Sequence, residues 1–115
     1  MTQAAAIRFT PEPLRSLAFG SIVAGYTAIG TALANPVRIL LLQNFTDKTL
    51  TFSFDGVDDH VVLSLGGYLL IDVTANKSLS GGFYLAQGKI IYVKRLGTPT
   101  TGSVYLSVFY GEDGY

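Results

Sequence analysis

Apolar and polar positions alternate with period two along most of the chain after Asn35-Pro36. In "TLTFSF" (49–54), Leu50, Phe52 and Phe54 share one side while Thr49, Thr51 and Ser53 share the other. That is the pattern of a strand with one buried face. Further short runs read the same way: "VRILLLQN" (37–44), "HVVLSL" (60–65), "YLLIDV" (68–73), "FYLAQ" (83–87), "KIIYVKRL" (89–96) and "SVYLSVFY" (103–110). They are separated by "DGVDD", "GG", "ANKSLSGG", "G" and "GTPTTG", segments rich in the residues that close tight turns. Nothing between them offers the ten or so residues of 3.6 periodicity that a helix needs.

Before Pro36, "SLAFGSIV" and "YTAIGTAL" fit two more extended segments on either side of Gly25. Eight or nine short strands at close spacing predict an all-β fold, an antiparallel β-sandwich or jelly roll. "TPEPLRSL" (10–17) predicts one helical turn, with Thr10 as cap and Pro11 at the first position. Residues 1–16 read as an extended N-terminal arm and 17–115 as a single domain. Pro11 and Pro13 discourage both a helix interior and ladder pairing. The arm, with Ile7, Phe9 and Leu14, is therefore expected to order only against another subunit.

Composition sharpens this picture. Only 14% of the 115 residues are charged, against about 25% in ordinary soluble domains. Mean hydropathy is +0.39. Eight basic residues balance eight acidic ones, so the electrostatic footprint of a nucleic-acid binder is missing. Without cysteine there is no disulfide, thiolate metal site or cysteine nucleophile. Ser16 to Val37 is uncharged and long enough to span a bilayer. Yet Gly20, Gly25 and Gly30 recur every five residues, line no single helix face and weaken any helix. Ser21, Tyr26, Thr27 and Thr31 dilute the run further, so neither a membrane span nor a signal peptide is expected.

The one candidate for chemistry is "DGVDDH" (55–60), which gathers three aspartates and the only histidine. On a loop between antiparallel strands, Asp55, Asp58, Asp59 and His60 point apart rather than converge. A calcium loop of the EF-hand kind needs a distal bidentate glutamate, and the only glutamates are Glu12 and Glu112. Zinc wants several His or Cys ligands. Ser53, Asp58 and His60 could be drawn as a triad, but no nucleophile elbow accompanies them. Turn chemistry explains the spacing more simply than a weak divalent-cation site or catalysis. No enzyme, cofactor or metal is expected.

Apolar residues are in surplus, however. In "SVYLSVFY", Val104, Leu106, Val108 and Tyr110 can face a core, while Tyr105 and Phe109 fall on the opposite side. "VRILLLQN" and "YLLIDV" are likewise apolar on both sides. A two-layer antiparallel domain ordinarily keeps its outer faces polar. A protein partner is thus expected over these faces, with Ile7, Phe9, Leu14, Tyr105 and Phe109 as contact residues.

The segments "QNFTD" (43–47), "SFDG" (53–56), "IYVK" (91–94) and "PTTGSVYLSVFYG" (99–111) lie within a stretch, 26–111, that resembles small virion proteins of tailed bacteriophages. The resemblance implies a β-sandwich that decorates or cements a capsid, or sits at the head–tail junction as a connector, collar or fibre-attachment protein. It implies location in the virion and contact with the major capsid protein, other virion proteins or further copies of itself. No catalytic residues come with it. A lectin-like carbohydrate-binding module built on the 55–60 loop is the remote alternative.

Overall fold

The computed structural model describes residues 7–73 and 85–113, with side chains for 10–73 and 85–111. Nine strands form among the described residues: β1 (Ile7–Pro11), β2 (Arg15–Ala18), β3 (Thr27–Ala28), β4 (Val37–Asn44), β5 (Leu50–Ser53), β6 (Val61–Leu63), β7 (Tyr68–Asp72), β8 (Tyr92–Arg95) and β9 (Ser103–Asp113). The only helical element among them is a 3-10 turn at Phe19–Ser21. Every pairing is antiparallel. The first sheet runs β1-β9-β4-β7, with β2 on the same side of β9 as β1, and the second runs β3-β8-β5-β6. The protein is therefore all-β with two antiparallel sheets, as the alternation predicts.

The inward-facing residues of both sheets make one core. Leu40, Leu42, Val104, Leu106 and Val108 come from the first sheet, and Leu50, Phe52, Leu63 and Val93 from the second. Ile22, Ile29, Leu33 and Ile91 complete it from the connecting segments. The expected strand at "YTAIGTAL" is mostly irregular, with only Thr27–Ala28 in the ladder. It still runs beside 89–91, because Ile29 N–H bonds Ile91 O at 2.8 Å and Leu33 N–H bonds Lys89 O at 2.8 Å. Of "FYLAQ", residues 83 and 84 lie outside the described residues, and only Leu85 makes a strand-like bridge. Its Leu85 exchanges backbone hydrogen bonds with Val37 at 2.8 and 2.9 Å.

Two expectations for the N-terminal segment change. The helical turn over 10–17 does not form, because that stretch is the end of β1, a short link and the start of β2. Nor does the part of the arm that is described wait for another subunit. β1 pairs with β9 from Ile7↔Asp113 to Pro11↔Phe109, and β2 pairs from Arg15↔Leu106 to Ala18↔Ser103. The expected boundary between residues 16 and 17 thus falls inside β2. Pro11 and Pro13 do not prevent this; they split one edge into two short strands. Between them Glu12 still donates its N–H to Val108 O at 3.1 Å. Residues 1–6 lie outside the described residues. Among the described residues no helix is long and apolar enough to cross a membrane.

Candidate functional site

The outward face of the first sheet carries the apolar surplus. On β4, Val37, Leu40, Leu42 and Asn44 are buried, while Ile39, Leu41 and Gln43 alternate outward and are half-buried. The register extends that face across three strands. Leu41 pairs with Leu70 on β7 and Ser107 on β9, Gln43 with Tyr68 and Tyr105, and Ile39 with Asp72 and Phe109. Because paired residues share a side of the sheet, Tyr68, Leu70, Leu41, Ile39, Tyr105 and Phe109 form one outward surface. Tyr68 is 66% and Leu70 54% exposed. Phe45, itself 54% exposed, extends the surface and meets the Tyr105 ring edge-on at 5.8 Å between centroids.

Of the five residues expected as partner contacts, Tyr105 and Phe109 lie on this surface. Tyr105 and Phe109 take the side opposite buried Val104, Leu106 and Val108, and both are half-buried rather than open. Pro11 lies opposite Phe109 and Ser16 opposite Tyr105. Ile7 and Phe9 are placed by backbone register against Asp113 and Gly111. Leu14 sits apart, 60% exposed, between β1 and β2. It lines a cavity of about 330 Å³ with Pro13, Arg15, Ser16, Gly30 and Thr31.

What fixes that N-terminal edge is a buried ion pair that strand patterning passes over. Arg15 Nη2 donates to Glu12 Oε1 at 2.7 Å, and both side chains are almost wholly buried. Arg15 also donates from Nε to Thr31 O at 2.8 Å and from Nη2 to Ala32 O at 2.9 Å. Glu12 accepts from Ala34 N–H, Asn35 N–H and Asn35 Nδ2 at 3.2, 3.0 and 3.1 Å. Burial alone would raise the Glu12 pKa, but the hydrogen bonds from Arg15, Asn35 and Ala34 outweigh it and hold the carboxyl below its ordinary value. Gly30, at φ +70°, lets the Arg15 stem pass, since a Cβ there would lie 2.9 Å from Arg15 Cγ. The signal available in the sequence was Glu-x-x-Arg with its glutamate set between Pro11 and Pro13, in a chain with little charge to spare.

The 55–60 loop spends its polar groups on closing a turn. Asp55 Oδ1 accepts from Ser53 Oγ at 2.8 Å, Val57 N–H at 2.8 Å and Asp58 N–H at 2.9 Å. The bonds from Val57 and Asp58, with that from Ser53, depress its pKa to about 2. His60 Nδ1 accepts from Phe54 N–H at 2.9 Å. Gly56 has φ +77° and lies over Tyr92, where a Cβ would approach the ring to 3.1 Å. Asp55, Asp58 and His60 do bring one ligand atom each within 4.8 Å of one another, but all three are exposed. Asp59 turns to the second sheet instead. It accepts from Tyr26 Oη and from Lys94 Nζ, the latter at 2.9 Å, while Lys94 lies 4.7 Å above the Tyr26 ring. Partial burial and the hydrogen bond to Asp59 push Tyr26 up to about 12.

A second missed constellation joins "QNFTD" to "PTTG". The buried Asn44 side chain donates to Lys48 O at 2.9 Å and Leu63 O at 3.0 Å and accepts from Thr46 Oγ1 at 2.7 Å. Asp47 accepts from Thr100 Oγ1 and Thr100 N–H, bonds that lower its pKa to about 2. Gly102, at φ +89°, has Phe45 O only 2.0 Å from where a Cβ would sit. These contacts fix how β9 enters the sheet and hence where Tyr105 and Phe109 face. No family model, curated protein or solved structure matches the chain.

Proposed function

We propose that this chain is a structural protein of a bacteriophage virion that works by adhesion rather than catalysis, most simply a capsid cement or decoration protein. The observation that carries the reading is the apolar outward face shared by β7, β4 and β9, with Leu41 flanked by Leu70 and Ile39 beside Phe109. A face of this kind gains stability when removed from water, and a specific protein contact buries at least about 1,000 Å² in total. The buried Glu12–Arg15 pair supports a rigid rather than adaptable surface, because it ties β1 and β2 to the 31–35 segment. The resemblance to small phage virion proteins supplies the choice of partner, the major capsid protein.

The test is the abundance and position of the chain in purified particles. Hundreds of copies, with density over the capsomers, are expected of a cement protein. A dozen copies or fewer in a ring below the portal would move the chain to the connector, and absence from particles would remove the virion reading altogether.

A further inference from the structure

A cavity opens beside the second sheet, lined by none of the residues of the apolar face. Its volume is about 400 Å³, within the range of about 300–1,000 Å³ usual for small-molecule sites. Phe54, Asp55, Gln87, Lys89, Ile90 and Tyr92 line it. Two aromatic rings and an aliphatic side chain are thus set beside one carboxylate, one amide and one ammonium group.

Hydrogen bonds pin both turns that wall the cavity. Lys89 N–H bonds Ala86 O at 3.2 Å and closes one turn. That turn is tied to the 29–33 segment, because Gly88 N–H bonds Leu33 O and Leu33 N–H bonds Lys89 O, each at 2.8 Å. In the other turn Asp55 Oδ1 is spent on Ser53, Val57 and Asp58, and Gly56 N–H donates to Ser53 Oγ at 2.9 Å. Gly56 lies over Tyr92, which pairs with Ser53 in the ladder. The polar ends are not spent in this way. Asp55 Oδ2 has His60 Nε2 at 3.9 Å, beyond hydrogen-bond reach. Among the described residues neither the Gln87 amide nor the Lys89 ammonium has a side-chain partner. Three polar groups are therefore left to solvent on a frame that is already ordered, which lowers the entropic cost of binding.

We propose that this cavity binds a pyranose sugar. The lining excludes the simpler ligands. An anion such as phosphate would meet the ionised Asp55, and a metal ion would meet the Lys89 ammonium. A purely apolar ligand would strip water from three polar groups without replacing it. A sugar hydroxyl both donates and accepts. Neighbouring hydroxyls therefore serve the carboxylate, the amide and the ammonium together, with the two charged groups making the stronger bonds. The C–H groups on one face of the ring suit the negative face of an aromatic side chain, here Tyr92 or Phe54. An amino acid zwitterion also meets both charges, but exposed charge pairs contribute little, and it leaves Gln87 unused. Asp58, Asp59 and His60 take no part in the site. It is also separate from the adhesive face, so the inference stands or falls independently of the virion reading.

Proton–nitrogen correlation NMR of the purified chain tests it, by titration with the methyl pyranosides of glucose, galactose, mannose and N-acetylglucosamine. At least one is expected to bind with millimolar affinity and to shift the amides of 54–56 and 86–92. Saturation of the aromatic protons should pass most strongly to the C–H protons on one face of that sugar. Gln87→Ala and Lys89→Met alter side chains that hold nothing else, so the rest of the spectrum should stay in place. Each should weaken binding about 3- to 10-fold, the contribution of one hydrogen bond. Inorganic phosphate, calcium and glycine are the contrasting probes. No shift with any of the four sugars, or shifts that map to other residues, would overturn the proposal. So would undiminished binding in both variants, or binding of phosphate, calcium or glycine in place of sugar. The wild-type map decides the matter even if a variant fails to fold.

Discussion

The outward faces of the two sheets are built from different chemistry. On the first, Ile39, Leu41, Leu70, Tyr105 and Phe109 line up across β4, β7 and β9. On the second, the buried Thr51 and Ser53 pair with Lys94 and Tyr92, and the Lys94–Asp59–Tyr26 cluster lies over them. Apolar residues are exposed here too: Val62, opposite Thr51, is 59% exposed and Leu96, just past β8, 61%. The inward faces do not differ in this way, since both sheets contribute Leu, Val or Phe to one core. The contrast shows that the surplus of apolar residues is not spread evenly to fill a larger core. Part of it forms a continuous patch on the first sheet, with Tyr68, Leu70 and Phe45 exposed, where exposure to water is unfavourable unless a partner covers it.

The largest expected effect breaks the apolar face at its root. Gly102→Ala forces a Cβ against Phe45 O and demands φ +89° of an alanine. A loss of more than about 4 kcal/mol, or failure to fold, is expected in denaturant titration. Next comes the pair that holds the N-terminal edge to this sheet. Arg15→Met leaves Glu12 charged and almost wholly buried without its partner, which should cost about 3–5 kcal/mol. Replacing both residues together with apolar ones should cost much less, and a chemical-denaturation cycle over the four variants measures the difference.

The comparison itself is sharpened by substitutions on its two sides. Tyr105→Ala and Phe109→Ala should shift the melting temperature by only a few degrees, since both side chains are half-buried. Each should weaken particle attachment by about 1–3 kcal/mol, as read from occupancy on virions. Lys94→Met on the second sheet should leave attachment unchanged and alter stability by less than about 1 kcal/mol. If Lys94→Met releases the chain from particles while Tyr105→Ala does not, the binding face has been assigned to the wrong sheet.

The smallest effect is on pH dependence. Asp47 and Asp55 have folded-state pKa values lowered from 3.8 to about 2 by the hydrogen bonds they accept. A lowered value means the folded chain binds fewer protons than the unfolded one. Their contribution to stability is therefore complete above about pH 4 and is lost as pH falls through about 2. Acid titration followed by circular dichroism should show this loss for the wild type, and a shallower one for Asp47→Asn.

β4, β7 and β9 of the first sheet were legible because alternation and apolar runs coincide there. "VRILLLQN" is β4 residue for residue, and "YLLIDV" differs from β7 only at Val73. The 55–60 turn was equally legible from Asp-Gly chemistry. Residues 10–17 were not, because their fate depends on a contact with residues 31–35, far along the chain. Local proline rules describe the unpaired segment, while the Glu12–Arg15 pair and the free side of β9 decide the folded one. The Asp47–Thr100 corner was hidden for the same reason, its partners standing 53 positions apart. Charge pairing across such distances leaves no periodic trace.

Hydroxyl-radical footprinting of the chain, free and in purified particles, tests the central claim most directly, because tyrosines mark both faces. Tyr68 and Tyr105 lie on the first sheet, and Tyr26 and Tyr92 on the second. The expected result is strong protection of Tyr68 and Tyr105 in particles, with labelling of Tyr26 and Tyr92 little changed. Equal labelling of Tyr68 and Tyr105 in both states, with protection confined to Tyr26 and Tyr92, would contradict the claim that the apolar face is the one covered.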